Sequence, residues 1–149
     1  IISLIRHPIS TVYSFYRLQR DRFNFKFTNK ERWIQDKLKE YLDFYSRIFQ
    51  LKEQNKSKMI ILNFEDLVSD EKYIYKIVEF INVEPKLDVE FVYNCTKIQN
   101  FFSAKKRTFY REGDNLKWLN DIDFIKYIKS FNLNEFDKFG YKINLQNDI

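Results

Sequence analysis

The chain has few of the residues that build loops, disulfides and metal sites. Its 149 residues include two glycines and two prolines, too few for a loop-rich fold or a fold of many hairpins. Cys95 and His7 occur once each, which argues against a disulfide framework and against Cys- or His-rich metal clusters. No apolar run approaches the roughly 18 residues of a membrane-spanning helix, and no secretory signal is recognisable. We therefore expect a cytoplasmic protein that binds no metal.

The composition is that of a folded domain with a basic surface. Hydrophobic residues make up 44% and aromatic residues 19% of the chain, which argues against disorder. The length suits one domain with a sizeable core. The net charge of +5 fits a phosphorylated ligand or a polyanion, although scattered lysines are more often a solvated surface.

The clearest helix signal lies between residues 30 and 54. Apolar side chains recur there at steps of three and four, which predicts one buried face of a long helix. Thr28 and Glu31 have the spacing of a capping box, in which each side chain satisfies a backbone donor at the other end. We therefore expect Thr28 to cap this helix.

Two short apolar runs predict buried parallel strands. Residues 1–5 form the first run and residues 58–64 the second, and a helix-rich stretch separates them. Ser69 is placed to cap a further helix that carries Asp70 and Glu71 in its first turn. The order strand, long helix, strand, helix predicts a parallel α/β sheet with covered faces.

The second half is less regular. Short helices are predicted over residues 87–93 and 96–102, and residues 103–117 have the least pattern. An amphipathic helix is predicted over residues 121–131, and residues 134–139 form a last short helix that Gly140 would cap. We find no repeat, low-complexity tract or domain linker.

The first strand runs into a motif that suits a phosphate. Arg6 ends the strand, and Pro8 stands where the next helix begins, a position at which its missing N–H costs nothing. A cation beside a helix N-terminus with free N–H groups favours an anion. Ser14 lies two turns further on and can add a hydroxyl. A buried strand followed by an ordinary helix, with Arg6 in a structural ion pair, explains the same residues.

Two later stretches of the sequence favour the phosphate-binding interpretation of Arg6 over the structural one. They are the strand end from Asn63 to Leu67, and the loop that contains Arg111, Glu112 and Gly113 and leads to Trp118. Together with the Arg6 motif, their order and spacing resemble the C-terminal half of sulfotransferases that use 3′-phosphoadenosine 5′-phosphosulfate (PAPS). The resemblance runs the length of the chain.

The resemblance implies a role for each matching residue. Arg6 and Ser14 match the Arg-x-Pro helix motif that binds the donor's 3′-phosphate in that family. Phe64 stands where the family has a Tyr near the adenine, so stacking is kept and a hydroxyl contact is lost. Arg111 and Gly113 match a loop that folds over the nucleotide.

Glu112 departs from the family, which has a Lys in that loop, and its carboxylate would weaken a phosphate site. The implied fold is a three-layer parallel α/β sheet with a P-loop nucleotide-kinase-like architecture. The family's P-loop lysine and catalytic histidine lie upstream of the matched stretch, so no catalytic residue is assigned here, and His7 is not given that role. We expect residues 1–149 to be the C-terminal part of one sulfotransferase domain, inactive alone.

The acceptor would be a hydroxyl or amine on a small molecule or a carbohydrate, and we expect no nucleic-acid partner. Two other functions remain open. A P-loop phosphotransferase or related nucleotide binder would share the fold without the sulfuryl donor. A non-enzymatic basic interaction module would depend on Lys105, Lys106 and Arg107 more than on Arg6. The oligomeric state is not predicted.

Overall fold

The computed structural model describes residues 1–70, 72–82, 117–143 and 145. These residues fall into two compact units. The first unit holds residues 1–5, 55–70 and 72–82, and the second holds residues 6–54, 117–143 and 145. The helices predicted over residues 87–93 and 96–102, and the unpatterned stretch up to residue 116, lie outside the described residues.

The first unit is built on a parallel strand pair. Strands β1 (Ile2–Ile5) and β2 (Ile60–Asn63) pair in register from Ile2 opposite Ile60 to Ile5 opposite Asn63. The predicted parallel pairing is confirmed. The predicted burial of the first strand is wrong, because Ile2 and Leu4 are 46% and 47% exposed. The second strand was predicted to be fully buried, but within β2 Leu62 is buried and the other residues are half-buried. In the described part of the chain the sheet has only these two strands, and parallel sheets bury both faces only when other elements cover them.

Among the described residues of the first unit, two helices follow β2. Helix α3 (Phe64–Ser69) starts directly after the strand, so Phe64 is its first residue rather than the last residue of a strand. Helix α4 (Lys72–Ile81) confirms the predicted helix. The predicted cap at Ser69 is wrong, because Asp70 Oδ1 accepts the Lys72 N–H at 2.9 Å. Ser69 is the last residue of α3, a short helix that was not predicted, so the residue that caps α4 is the next one, Asp70.

The second unit begins with helix α1 (Pro8–Arg17), which has Pro8 at its first position as predicted. Ile9, Val12 and Tyr16 form its buried face. The helix continues into a π-helical turn, Leu18–Arg22.

Helix α2 (Lys30–Gln54) confirms the long helix predicted from the apolar spacing. Its buried stripe includes Ile34, Leu38, Tyr45 and Ile48. The predicted capping box is wrong. Asn29 Oδ1 accepts the Arg32 N–H at 2.9 Å, so Asn29 rather than Thr28 caps the helix.

The second unit is completed by the end of the chain. A 3₁₀ turn, Lys117–Asn120, leads to helix α5 (Ile122–Ile128), which Asp121 caps. This helix is shorter than the predicted 121–131. A 3₁₀ segment, Leu133–Phe139, then ends at Gly140, whose φ of +87° confirms the predicted glycine cap. The core is largely aromatic and aliphatic, and its fully buried members include Ile9, Ile34, Leu38, Tyr45, Phe124, Ile128 and Phe136.

We expect Asn29→Ala to lower the free energy of unfolding by about 1 kcal/mol, because it removes the side-chain acceptor at the start of α2. Thr28→Ala is the matched control and is expected to change stability by less than a few tenths of a kcal/mol. Urea unfolding followed by circular dichroism measures both. A larger loss of unfolding free energy in Thr28→Ala than in Asn29→Ala would show that Thr28 caps the helix, as the sequence predicted.

Candidate functional site

The candidate site lies at the start of α1, in the second unit. Arg6 and His7 connect β1 to this helix and stand directly before Pro8. The hydroxyl of Tyr45, a core residue of α2 that is 1% exposed, donates a hydrogen bond to the Arg6 carbonyl oxygen. The backbone at the start of α1 is therefore fixed to the middle of the long helix.

His7 caps α1 with its side chain. Its Nδ1 accepts the Ser10 N–H at 3.3 Å and lies 3.2 Å from the Ser10 hydroxyl. The Thr11 N–H and hydroxyl both donate to the His7 carbonyl oxygen, at 3.0 Å and 2.9 Å. Since Nδ1 accepts a backbone N–H, the ring is neutral and carries its proton on Nε2.

This cap corrects one expectation from the sequence. Free N–H groups were expected to face an anion at the start of α1. Pro8 has no N–H, and the Ser10 and Thr11 N–H groups are bonded to His7. The backbone therefore satisfies most of its own donors, and side chains must supply the contacts to a bound phosphate.

The His7 ring is packed between two aromatic residues of the C-terminal part of the chain. The Trp118 ring is stacked with it at a centroid distance of 6.4 Å and an angle of 18°. Tyr141 meets it edge-on at 5.5 Å. Burial, and then the Arg6 charge, lower the pKa of His7 from 6.5 to about 4. The imidazole therefore stays neutral at physiological pH and adds no charge to the site.

Ser14 lies on the same side of α1 as His7, the residue that caps the start of the helix. Positions 7, 11 and 14 are spaced by four and three residues, which places them above one another on a helix. Ser14 is exposed, and within the described residues no hydrogen bond to its side chain is formed. Arg6 lies two residues before α1 and Ser14 lies within it, eight positions or about two helical turns further along the chain.

Trp118 contributes a buried donor next to the cap. The residue is 2% exposed, and its Nε1 has no hydrogen-bond partner among the described residues. A buried N–H without an acceptor costs about 1–3 kcal/mol, so an acceptor atom that reached it would be bound favourably. The stacking of Trp118 on His7 also gives the residue a packing role.

Phe64 belongs to the first unit, where it is half-buried at the start of α3. Asn63 precedes it and donates from Nδ2 to Asp66 at 3.5 Å. Arg111, Glu112 and Gly113 lie outside the described residues, as do Lys105, Lys106 and Arg107. Among the predicted site residues, Arg6 and Ser14 both belong to the second unit, with Arg6 before α1 and Ser14 within it.

Sequence reasoning missed three residues at this site. His7 was noted only as the single imidazole, although a residue directly before a proline at the first helical position is by definition the cap. Tyr45 lies on the apolar stripe of α2, and Tyr141 directly follows Gly140. Their contacts with residues 6 and 7 span 39 and 134 residues of sequence, and no local pattern predicts such distances.

An open cleft of about 620 Å³ lies elsewhere in the second unit, between α1 and the start of α5. Its lining carries both signs of charge, from Arg17, Lys117, Asp121 and Asp123, beside the Tyr13 ring. Arg17 is held by Asp21 at 2.5 Å. The mixed charge selects no class of ligand.

No protein-family model, curated protein or solved structure matches this chain. In the described ranges, no three His, Cys, Asp or Glu side chains come together as metal ligands would. None of the described helices combines the length and apolar character needed to span a bilayer.

The neutral cap predicts an acid-sensitive stability. Between pH 6.5 and about 4 the unfolded chain binds a proton at His7 that the folded chain excludes, so the free energy of unfolding falls as pH falls through that window. The loss is at most about 3 kcal/mol. His7→Asn keeps a neutral cap and removes this titration, so it should flatten the dependence.

His7 is the only histidine, so its imidazole resonance can be followed by NMR without ambiguity. An apparent pKa near 6.5 in the folded chain, or equal pH dependence of unfolding in His7→Asn, would contradict the buried neutral cap.

Proposed function

We propose that this chain supplies the donor-binding part of a PAPS-dependent sulfotransferase. The observation that carries the proposal is the start of α1. Arg6 stands two residues before a helix with proline at its first position, and Ser14 lies in that helix about two turns from Arg6. These residues match the family motif for the 3′-phosphate in identity and in spacing.

The local chemistry suits a phosphate. Arg6 provides a permanent cation, and Arg–phosphate hydrogen bonds are among the stronger ones in proteins. The cap is a neutral imidazole, so no capping carboxylate opposes the anion. The Ser14 hydroxyl is exposed and can donate. Because the first-turn N–H groups are bonded to His7, the Arg6 side chain would carry most of the affinity.

The proposed reaction is in-line transfer of a sulfuryl group. An acceptor hydroxyl or amine attacks the sulfur of PAPS, the bond from sulfur to the bridging phosphate oxygen breaks, and 3′,5′-bisphosphoadenosine leaves. Phe64 would stack near the adenine, and Arg111, Glu112 and Gly113 would close over the nucleotide. The sequence offers no counterpart of the family's P-loop lysine or catalytic histidine, so these 149 residues are expected to bind the donor without turning it over.

The proposed fold is a three-layer, P-loop nucleotide-kinase-like α/β architecture. It is supported by the parallel pairing of β1 with β2, since parallel neighbours require a crossover connection. Here that connection contains α1 and α2. The cofactor would be PAPS, and the acceptor a small molecule or a carbohydrate.

Binding of 3′,5′-bisphosphoadenosine to the 149-residue chain, measured by isothermal titration calorimetry, tests the proposal. Arg6→Ala should weaken binding by about 10- to 100-fold, because a charge-assisted contact to phosphate is lost. Arg47→Ala removes an exposed cation from the outer face of α2 and is the matched control, expected to leave the affinity unchanged. Ser14→Ala should cost less than Arg6→Ala, since a neutral hydrogen bond is weaker.

Two results would overturn this assignment. If Arg6→Ala lowers the free energy of unfolding and leaves the affinity intact, Arg6 serves the structure alone. If ATP competes as well as the bisphosphate, the site does not select a 3′-phosphate and a P-loop phosphotransferase becomes the better interpretation.

A further inference from the structure

A second surface of the second unit is both apolar and basic. It lies where α1 ends and the chain turns back towards α2. Phe23 and Phe25 are 60% and 50% exposed, and Leu18 and Phe15 are 38% and 36% exposed. We call these four residues the phenyl surface.

Two of the exposed rings contact a packed aromatic cluster. Phe25 contacts Phe27 edge-on at 5.0 Å, and Phe27 contacts Trp33 in the same way at 5.1 Å. Trp33 in turn lies 5.6 Å from Phe15. The Tyr16 ring, which is 3% exposed, contacts both Phe27 and Trp33 and joins the cluster to the core. Two exposed rings, Phe15 and Phe25, are therefore linked by a continuous row of aromatic contacts.

The backbone of the turn is also fixed. The Phe23 N–H donates to the Leu18 carbonyl at 3.3 Å, and the Phe25 N–H donates to the Gln19 carbonyl at 2.9 Å. Asn24 between them has a φ of +49°, in the left-handed region that Asn tolerates better than most residues. A partner that buried Phe23 and Phe25 would not have to order this turn first.

Basic residues are frequent along the stretch that carries most of the phenyl surface. Residues 18–33 carry five Arg or Lys and two acidic residues, so this stretch supplies three of the chain's five net positive charges. Asp21 is shared by Arg17 and Arg20, at 2.5 Å and 2.6 Å. Arg22 and Lys26 flank the two exposed phenyl rings and are exposed themselves.

We propose that the phenyl surface docks on an anionic lipid membrane, with its rings at the level of the headgroups and its cations on the lipid charges. Phenyl and leucyl side chains have no hydrogen-bonding group, so they gain from leaving water without requiring a patterned partner. Flanking Arg and Lys are attracted to anionic headgroups. Interfacial anchoring by apolar and cationic residues together needs no spanning segment.

A single-stranded nucleic acid is the other polyanion that aromatic and basic residues can bind. It would be held in a basic groove, with bases stacked on ring faces. Phe25 and Phe27 instead meet each other edge-on, and the aliphatic Leu18 belongs to the exposed set. These features favour the lipid surface.

Co-sedimentation of the 149-residue chain with vesicles tests the proposal. The vesicles are made of phosphatidylcholine alone or with about one-third phosphatidylserine, at about 0.1 M salt. We expect binding to the anionic vesicles only. Phe23→Ser combined with Phe25→Ser should weaken it by at least about tenfold, and so should Arg22→Gln combined with Lys26→Gln.

Matched controls separate docking from stability and from net charge. Phe44→Ser removes an exposed ring from α2, and Lys39→Gln combined with Lys129→Gln removes two exposed cations outside the surface. Both controls are expected to bind like the wild type, and all variants should keep the wild-type melting temperature within a few degrees.

No binding to anionic vesicles, or an equal loss in the controls, would overturn the proposal. Tighter binding to a single-stranded oligonucleotide, with the same dependence on Phe23 and Phe25, would overturn it in favour of a nucleic-acid surface. The residues tested are separate from Arg6 and Ser14, so either result leaves the proposed nucleotide site unaffected.

Discussion

The hydrogen bond from the Ser10 N–H to His7 Nδ1 is the interaction on which the geometry at the start of α1 depends. It requires a neutral imidazole, and neutrality requires that the ring stay buried against Trp118 and Tyr141. Tyr45 fixes the adjoining Arg6 carbonyl from α2. Four segments that are distant in sequence therefore meet at one two-residue connection, and the geometry of the proposed phosphate site depends on all of them.

Several of the chain's many aromatic residues pack together next to the start of α1. Tyr45 contacts the rings of Phe136, Phe139 and Tyr141, so the cap of α1 and the C-terminal segment share one aromatic cluster. Edge-on ring pairs add about 0.5–1.5 kcal/mol each beyond the area they bury. Apolar packing thus supports the cap of α1, and that cap is an imidazole rather than a carboxylate.

Regular periodicity made much of this fold predictable. Helix α2 was predicted at its observed ends because its apolar stripe is long, and Pro8 and Gly140 marked a helix start and a helix end by their backbone restrictions alone. The caps were predicted less well. Asn29 and Asp70 cap these helices in place of the predicted Thr28 and Ser69. A shift of one residue in the first turn decides which side chain reaches a free backbone N–H of that turn. The packing of His7 against Trp118 is a tertiary contact, and no local pattern predicts it.

The central claim is that the start of α1 binds the 3′-phosphate of an adenosine nucleotide. Amide NMR of the 149-residue chain, titrated with 3′,5′-bisphosphoadenosine and separately with adenosine 5′-phosphate, tests it most directly. The account predicts that the amides of Arg6, His7 and Ser14 shift with the bisphosphate and respond far more weakly to the monophosphate. Equal shifts with both nucleotides, or shifts confined to other elements, would contradict it.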